Sequence, residues 1–215
     1  MIKAVLFDLD GTFADTAPDL AAALNHVRTL HDMPPLALPS VRPYATLGAA
    51  GLLRLGFGIT PEAAEFAALR TTLLEYYAAH LCVHTTLFPG MAQLLETLEQ
   101  RGIQWGIVTN KPERFTLPLM QALGYAQRAA CLVSGDSCAR AKPYPDPLLR
   151  ACELMALAPQ QCLYLGDDRR DMEAARAAAM PCLIAHYGYV DAAADTAAWG
   201  ADGGIAVPLA LLDHL

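Results

Sequence analysis

No apolar run in the 215-residue chain reaches the roughly 20 residues that a helix needs to cross a bilayer. No basic, apolar, small-residue leader precedes the first core segment either. The expectation is a cytoplasmic protein with no membrane partner. Cys-x-x-Cys spacing is absent: Cys82, Cys131, Cys138, Cys152, Cys162 and Cys182 are scattered, several inside apolar patterns, and read as reduced core residues. Charge is sparse, at 17% of residues, and the formal net charge of −7 gives no general attraction to nucleic acid. There is no Gly-x-x-x-x-Gly-Lys-Ser/Thr loop, and Gly56-Phe57-Gly58 lacks the third glycine of a dinucleotide fingerprint, so no nucleotide cofactor is implied. His80, Cys82 and His84 have the residue types of a zinc site, but no fourth ligand lies nearby. Internal repeats and low-complexity tails are also missing.

What is present is apolar: 54% of residues, many of them alanine, which favours helix without filling much core. The run Ile2 to Phe7 reads as a buried parallel strand. Leu20, Leu24, Val27 and Leu30 then recur at helical spacing. Pro34, Pro35, Pro39 and Pro43 read as a stiff connection, followed by a helix over about 47–55. Thr60 can cap a third helix, with Pro61 at its first position and Phe66, Leu69, Leu73 and Tyr77 on its apolar face. No strand is expected between about 15 and 86. From Phe88 the pattern alternates: a helix through Leu94 and Leu98, a strand at 104–108, a helix after Lys111, and a strand near 131–134. A helix opened by Asp146-Pro147, a strand at 162–165, a helix after Asp171 and a strand at 182–185 complete it. Pro118 argues that the helix after Lys111 starts near Thr116. Such alternation means a parallel sheet with right-handed crossovers, an α/β fold.

Chemistry-bearing residues gather at the expected strand ends. The first strand runs into Asp8-Leu9-Asp10-Gly11-Thr12, the second into Thr109-Asn110-Lys111, and the fourth into Gly166-Asp167-Asp168-Arg169-Arg170-Asp171. Lys142 follows the third. In open α/β sheets the carboxyl ends of the strands form the ligand crevice. Two acids on one strand tip need a cation, a shared proton or a basic neighbour, and they suit attack by one carboxylate and proton transfer by the other. Asp168 reads as a solvent-facing bystander, and Arg169 and Arg170 as solvated or paired with nearby acids.

These four motifs, in this order, resemble the haloacid dehalogenase superfamily. Asp8 to Thr12 with Asp15-Thr16-Ala17-Pro18-Asp19 is similar to its bacterial phosphoglycolate phosphatase-like members. The resemblance implies a Rossmann-like core of residues 1–15 and 87–215 and an inserted all-helical, mobile cap of residues 16–86. It implies a phosphomonoester hydrolase in which Asp8 is the nucleophile that becomes an aspartyl-phosphate and Asp10 is the general acid, then base. Thr109 and the Asn110 backbone would hold phosphoryl oxygens, and Lys142 would neutralise charge. Asp8, the Asp10 carbonyl, Asp167 and Asp171 would bind Mg²⁺, Asp171 directly or through water. In the cap, Arg42 followed by Leu47-Gly48 would contact a substrate carboxylate, Arg54 being weaker. The implied partner is a small phosphate ester, first phosphoglycolate, with N-acetylmuramic acid 6-phosphate as the rival. A phosphosugar mutase is a further alternative. Phe13-Ala14 departs from the usual Leu-Val, and Asp168 stands where the family commonly has Ser. Oligomeric state is left open.

Overall fold

The computed structural model describes residues 1–191 and 193–215. They form two compact units: residues 1–14 with 87–215, and residues 15–86.

The larger unit is built on a six-stranded sheet in the order β5-β4-β1-β6-β7-β8. Its strands are β1 (Ala4–Phe7), β4 (Gln104–Val108), β5 (Cys131–Val133), β6 (Cys162–Gly166), β7 (Cys182–Ala185) and β8 (Gly203–Ile205). Every pairing is parallel, with Ala4 opposite Gln104 on one side of β1 and Cys162 on the other. Every residue of β1 and β6 is buried, as sheets covered on both faces require. The helices α5 (Met91–Gln100), α6 (Glu113–Ala122), α7 (Asp146–Met155) and α8 (Arg169–Ala177) alternate with the strands. Each offers one apolar stripe, for instance Met91, Leu94, Leu95 and Leu98 on α5. Phe13 stacks on Trp105 at 5.6 Å between ring centroids, and the Trp105 indole donates to Glu99 at 2.9 Å, which satisfies its one polar atom.

The smaller unit contains α1 (Ala17–Leu30), α2 (Leu38–Ala45), α3 (Gly48–Phe57) and α4 (Phe66–Ala79). Leu24, Val27, Leu52, Leu53 and Leu73 are fully buried in it. The buried Arg28 donates Nε to the Pro34 carbonyl at 2.9 Å and Nη1 to the Gly56 carbonyl, tying the proline-rich segment to the end of α3. The Asp19 carboxylate accepts from the His84 and Thr85 backbone N–H groups and from the Thr85 hydroxyl. Two short strands, β2 (Ala14–Asp15) and β3 (Thr86–Leu87), pair where the chain passes between the units.

Several elements differ from expectation. Pro39 and Pro43 lie in a helix, α2, and not in a connection; the carbonyl that Pro43 deprives of a donor belongs to the exposed Pro39. Pro118 likewise sits inside α6, which starts at Glu113, and the unpaired carbonyl belongs to the exposed Arg114. Thr60 heads a turn, and the helix begins only at Phe66. Leu30, read as part of the buried face of α1, is 60% exposed. Helix α8 begins at Arg169, two residues before Asp171. The short β2, β3 and β8 carry too few residues to show an alternation in sequence.

Candidate active site

Strand β1 ends at Phe7, and the ladder continues one residue further, with the Asp8 N–H donating to the Leu165 carbonyl at 2.9 Å. The Thr109 N–H does the same toward Val133 at the end of β4. Backbone pairing thus sets Asp8 and Thr109 on adjacent strand tips, both buried. Gly11, at φ +88°, turns the chain away, and a Cβ there would sit 2.2 Å from Asp167 Oδ2. Only a bare α-carbon lets the first motif pass this close to the fourth.

Lys142 is the hub. Its buried ammonium lies 2.9 Å from Asp8 Oδ1, as an ion pair without the geometry of a directed hydrogen bond. It donates to Asp171 Oδ1 at 2.6 Å, to the Tyr164 hydroxyl at 2.8 Å and to the Val108 carbonyl at 3.1 Å. The Asn110 side chain clamps the Lys142 backbone from both sides, Nδ2 donating to its carbonyl at 2.9 Å and Oδ1 accepting from its N–H at 3.0 Å. Asp167 Oδ1 accepts from the Thr12 hydroxyl and Oδ2 from the Tyr189 N–H, each at 2.8 Å. Asp10 is paired with Lys111, whose Nζ meets Oδ1 at 2.9 Å and Oδ2 at 3.1 Å.

The electrostatics are those of an overloaded carboxylate cluster. Burial pushes Asp8 up to about 6, opposed by Lys142 and reinforced by Asp171. Burial also drives Asp167 well above the usual carboxylate range, with Asp8 and Asp171 adding to it. Burial alone would lower Lys142, but Asp171 and Asp8 outweigh it and hold the lysine above its ordinary value, so it remains a cation. Carboxylate oxygens of Asp8, Asp167 and Asp171 lie within 4.8 Å of one another. Lys142 pairs with two of these three acids, Asp8 and Asp171, and the donor set is entirely oxygen, which fits a hard divalent cation. Both oxygens of Asp171 are already engaged, Oδ2 accepting from the Asp168 N–H at 3.0 Å. Both oxygens of Asp167 are engaged as well, so of the three acids Asp8 is the one with a buried carboxylate oxygen that accepts no hydrogen bond.

The structure brings Asp8, Thr109, Asn110, Lys142, Asp167 and Asp171 into the larger unit and onto one end of its strands, with Asp10 two residues beyond Asp8. Asp168 is no bystander: it is the N-cap of α8, accepting from Arg170 N at 2.8 Å, and it pairs with the Arg170 guanidinium at 2.7 Å. Arg169 pairs with Glu173 at 2.7 Å. In the helical unit, Arg42 forms an ion pair with Asp15 at 2.7 Å, and Gly48, at φ +62°, opens α3 with nothing within 4 Å of where a Cβ would be. Arg54 is exposed on α3. His80 stacks on Tyr76 and its Nδ1 lies 2.9 Å from the Tyr76 carbonyl oxygen. Sequence reasoning missed Lys111, Tyr164 and the side chain of Asn110. Charge balance at Asp10 signals the first, and a tyrosine hydroxyl inside a fully buried strand always needs a partner.

A parallel sheet with a lysine-bound carboxylate cluster at its strand tips is suited to an enzyme that handles anionic groups. The chain belongs to the haloacid dehalogenase-like hydrolases, whose family model matches residues 5–185. It is 41% identical over 214 residues to the N-acetylmuramic acid 6-phosphate phosphatase of Pseudomonas aeruginosa, covering 100% of this chain and 95% of the relative. It is 43% identical over 200 residues to the phosphoglycolate phosphatase of Xanthomonas campestris pv. campestris, covering 93% and 90%. Among solved structures, that of a predicted phosphoglycolate phosphatase from Haemophilus somnus superposes with a TM-score of 0.87 at 27% identity, covering 99% and 97%. The protein is a phosphatase of this family.

Proposed function

We propose that the protein is a Mg²⁺-dependent hydrolase of small, carboxylate-bearing phosphomonoesters, and that it works through an aspartyl-phosphate on Asp8. The observation that carries this reading is the buried ammonium of Lys142 set against Asp8 at 2.9 Å, with Asp10 two residues on. A carboxylate can attack a phosphate dianion only where positive charge screens their repulsion. An Asp8 oxygen forms a bond to phosphorus as the ester oxygen departs and takes a proton from Asp10. Asp10 then removes a proton from water, whose oxygen attacks the same phosphorus; the Asp8–phosphorus bond breaks and inorganic phosphate leaves. Thr109 and the Asn110 backbone hold the phosphoryl oxygens through the transfer. Asp8, the Asp10 carbonyl and Asp167 would hold Mg²⁺, with Asp171 in support, and the ion supplies charge neutralisation at the transferring group.

Arg42 is proposed to receive the substrate carboxylate, with Gly48 in the turn beside it, since an arginine fork matches a carboxylate in geometry and charge. We take 2-phosphoglycolate as the first substrate, in line with the 43% identical Xanthomonas relative. N-acetylmuramic acid 6-phosphate is the second reading, favoured by the match to the Pseudomonas enzyme over the whole of this chain. Both carry a carboxylate. Comparison of kcat/KM for the two decides: a large preference for the sugar phosphate overturns the first choice. Arg42→Ala should raise KM for both and leave a phosphate ester without a carboxylate unaffected. Equal effects on all three substrates would remove Arg42 from recognition.

A further inference from the structure

We propose that Tyr164 is a positioning residue for Lys142: its hydroxyl, together with Asp171 and the Val108 carbonyl, anchors the lysine ammonium so that Asp8 faces it as a fixed charge and not through a hydrogen bond. The inference rests on the phosphatase reading above and assigns a task to a residue outside the four motifs.

A lysine ammonium has three N–H donors. Four oxygens stand around this one: Asp171 Oδ1 at 2.6 Å, the Tyr164 hydroxyl at 2.8 Å, Asp8 Oδ1 at 2.9 Å and the Val108 carbonyl at 3.1 Å. Water cannot make up the difference, because Lys142 and Asp171 side chains are 2% and 1% exposed. Asp171, Val108 and Tyr164 take all three donors, which leaves Asp8 Oδ1 with charge alone, and the Tyr164 hydroxyl both accepts and donates. It accepts one N–H from Lys142 and donates its own proton to the Val108 carbonyl at 2.9 Å. Tyr164 thereby ties the ammonium to the Val108 carbonyl and fixes the cation 2.9 Å from Asp8 without a hydrogen bond to that acid. Tyr164 is fully buried in the middle of β6, one strand from the Val108 end of β4 across β1, so its ring is held by the sheet itself. The hydroxyl also lies 3.2 Å from Asp171 Oδ1, which gives it a second acceptor on the same acid.

Phenylalanine in this place keeps the ring and deletes only the hydroxyl. The lysine N–H that the hydroxyl held is then freed in a water-excluded site, and the ammonium shifts toward a new partner. The charge facing the nucleophile is displaced while substrate contacts stay as they were. Hence Tyr164→Phe should lower kcat by about 10- to 100-fold with KM for para-nitrophenyl phosphate little changed. Orthovanadate, which mimics the transferring phosphoryl group, should bind more weakly by a similar factor when titrated calorimetrically in excess Mg²⁺.

The decisive measurement is a double-mutant cycle. If Tyr164 acts through Lys142, Tyr164→Phe costs vanadate affinity in the native background and almost nothing once Lys142→Met is present. A merely structural tyrosine gives additive losses, and that result overturns the proposal, as does an unchanged kcat in a folded Tyr164→Phe protein. Tyr164→Leu, which loses ring and hydroxyl together, separates packing from hydrogen bonding: melting temperature should fall in Leu and hold in Phe. Failure of the phosphatase reading looks different, since the unmodified protein would then release no phosphate from any ester.

Discussion

Gly188 offers a sharp test of how closely the site is assembled. Its backbone lies outside the left-handed region, so alanine carries no conformational penalty there. The obstacle is steric: a Cβ would meet the Gly11 carbonyl oxygen at 2.2 Å, Asp167 Cβ at 2.6 Å and Asp167 Cγ at 2.9 Å. One of these is backbone in the first motif and the others belong to a proposed metal ligand, so none can swing aside. Restoring ordinary contact requires a displacement of about 1 Å between the Gly11 turn and the Asp167 loop. Overpacking of this kind costs roughly 1–3 kcal/mol, offset by about 0.4–1 kcal/mol from a stiffer unfolded chain. At roughly 2–4 °C per kcal/mol for a chain of this size, Tm should drop by up to about 10 °C. A misplacement near 1 Å between reacting groups costs on the order of 100-fold in rate. Gly124→Ala is the control: φ is +82° with nothing within 4 Å, so alanine is strained by about 1 kcal/mol but touches nothing. Both variants should lose a few degrees of Tm, and only Gly188→Ala should lose kcat/KM with para-nitrophenyl phosphate. Gly188→Ala activity within threefold of the unmodified protein, alongside a lowered Tm, would refute the claim that this contact sets the distance between the two motifs.

Asp8→Asn should bring turnover below about one thousandth of the native rate while leaving the circular dichroism spectrum intact, because an amide is too weak a nucleophile to replace the carboxylate. Near-normal phosphate release would remove Asp8 from its role. Chelation should abolish activity and Mg²⁺ should restore it, and saturating Mg²⁺ at about 100 times its Kd should add roughly 2.7 kcal/mol of stability; Asp167→Asn should lose that thermal shift. The buried thiols offer a pH-dependent readout. Burial, with Cys152 nearby, raises Cys131 to about 12, and burial, with Asp202 nearby, raises Cys182 to about 11. Their folded values lie above the unfolded ones, so native protein at pH 8 holds almost no thiolate at either position, and the protection is lost as pH climbs toward those values. Iodoacetamide followed by peptide mass mapping should label neither residue without denaturant; rapid native labelling would show that this part of the core opens.

The sheet was legible because its strands are short apolar runs followed by polar residues of unusual type. Asp8 and Asp10 after Phe7, or Gly166-Asp167 after Leu165, mark a strand tip and a candidate site with the same letters. The helical unit was less legible where proline dominated. Pro43 and Pro118 break the local rule at little cost because the carbonyls they orphan belong to exposed residues, and exposure is not written in the local sequence. The site's inner contacts were illegible for a different reason. Asn110 and Lys142 are 32 residues apart, and Tyr164 and Val108 are 56 apart. Such pairs exist only once strand order is known, and strand order depends on the whole chain. The two-residue bond between Asp168 and Arg170 is local, yet it was hidden by reading Asp168 as a solvent-facing bystander and not as a helix cap.

Burial is what links the stability of this site to its chemistry. A carboxylate on a solvated loop would be hydrated and slow to attack a dianion; Asp8 at a strand tip is stripped of most of its water and faces one buried ammonium. The same desolvation makes the acid cluster costly to fold, which is visible in how far Asp8 and Asp167 are pushed upward. Every short-range contact around the cluster reduces that cost without hydrating the acids: Thr12 and Tyr189 on Asp167, Tyr164 on Lys142, the Asp168 N–H on Asp171. None of these partners spends its bond on Asp8. The acid left with the fewest directed bonds is thereby the one proposed to make a bond to phosphorus.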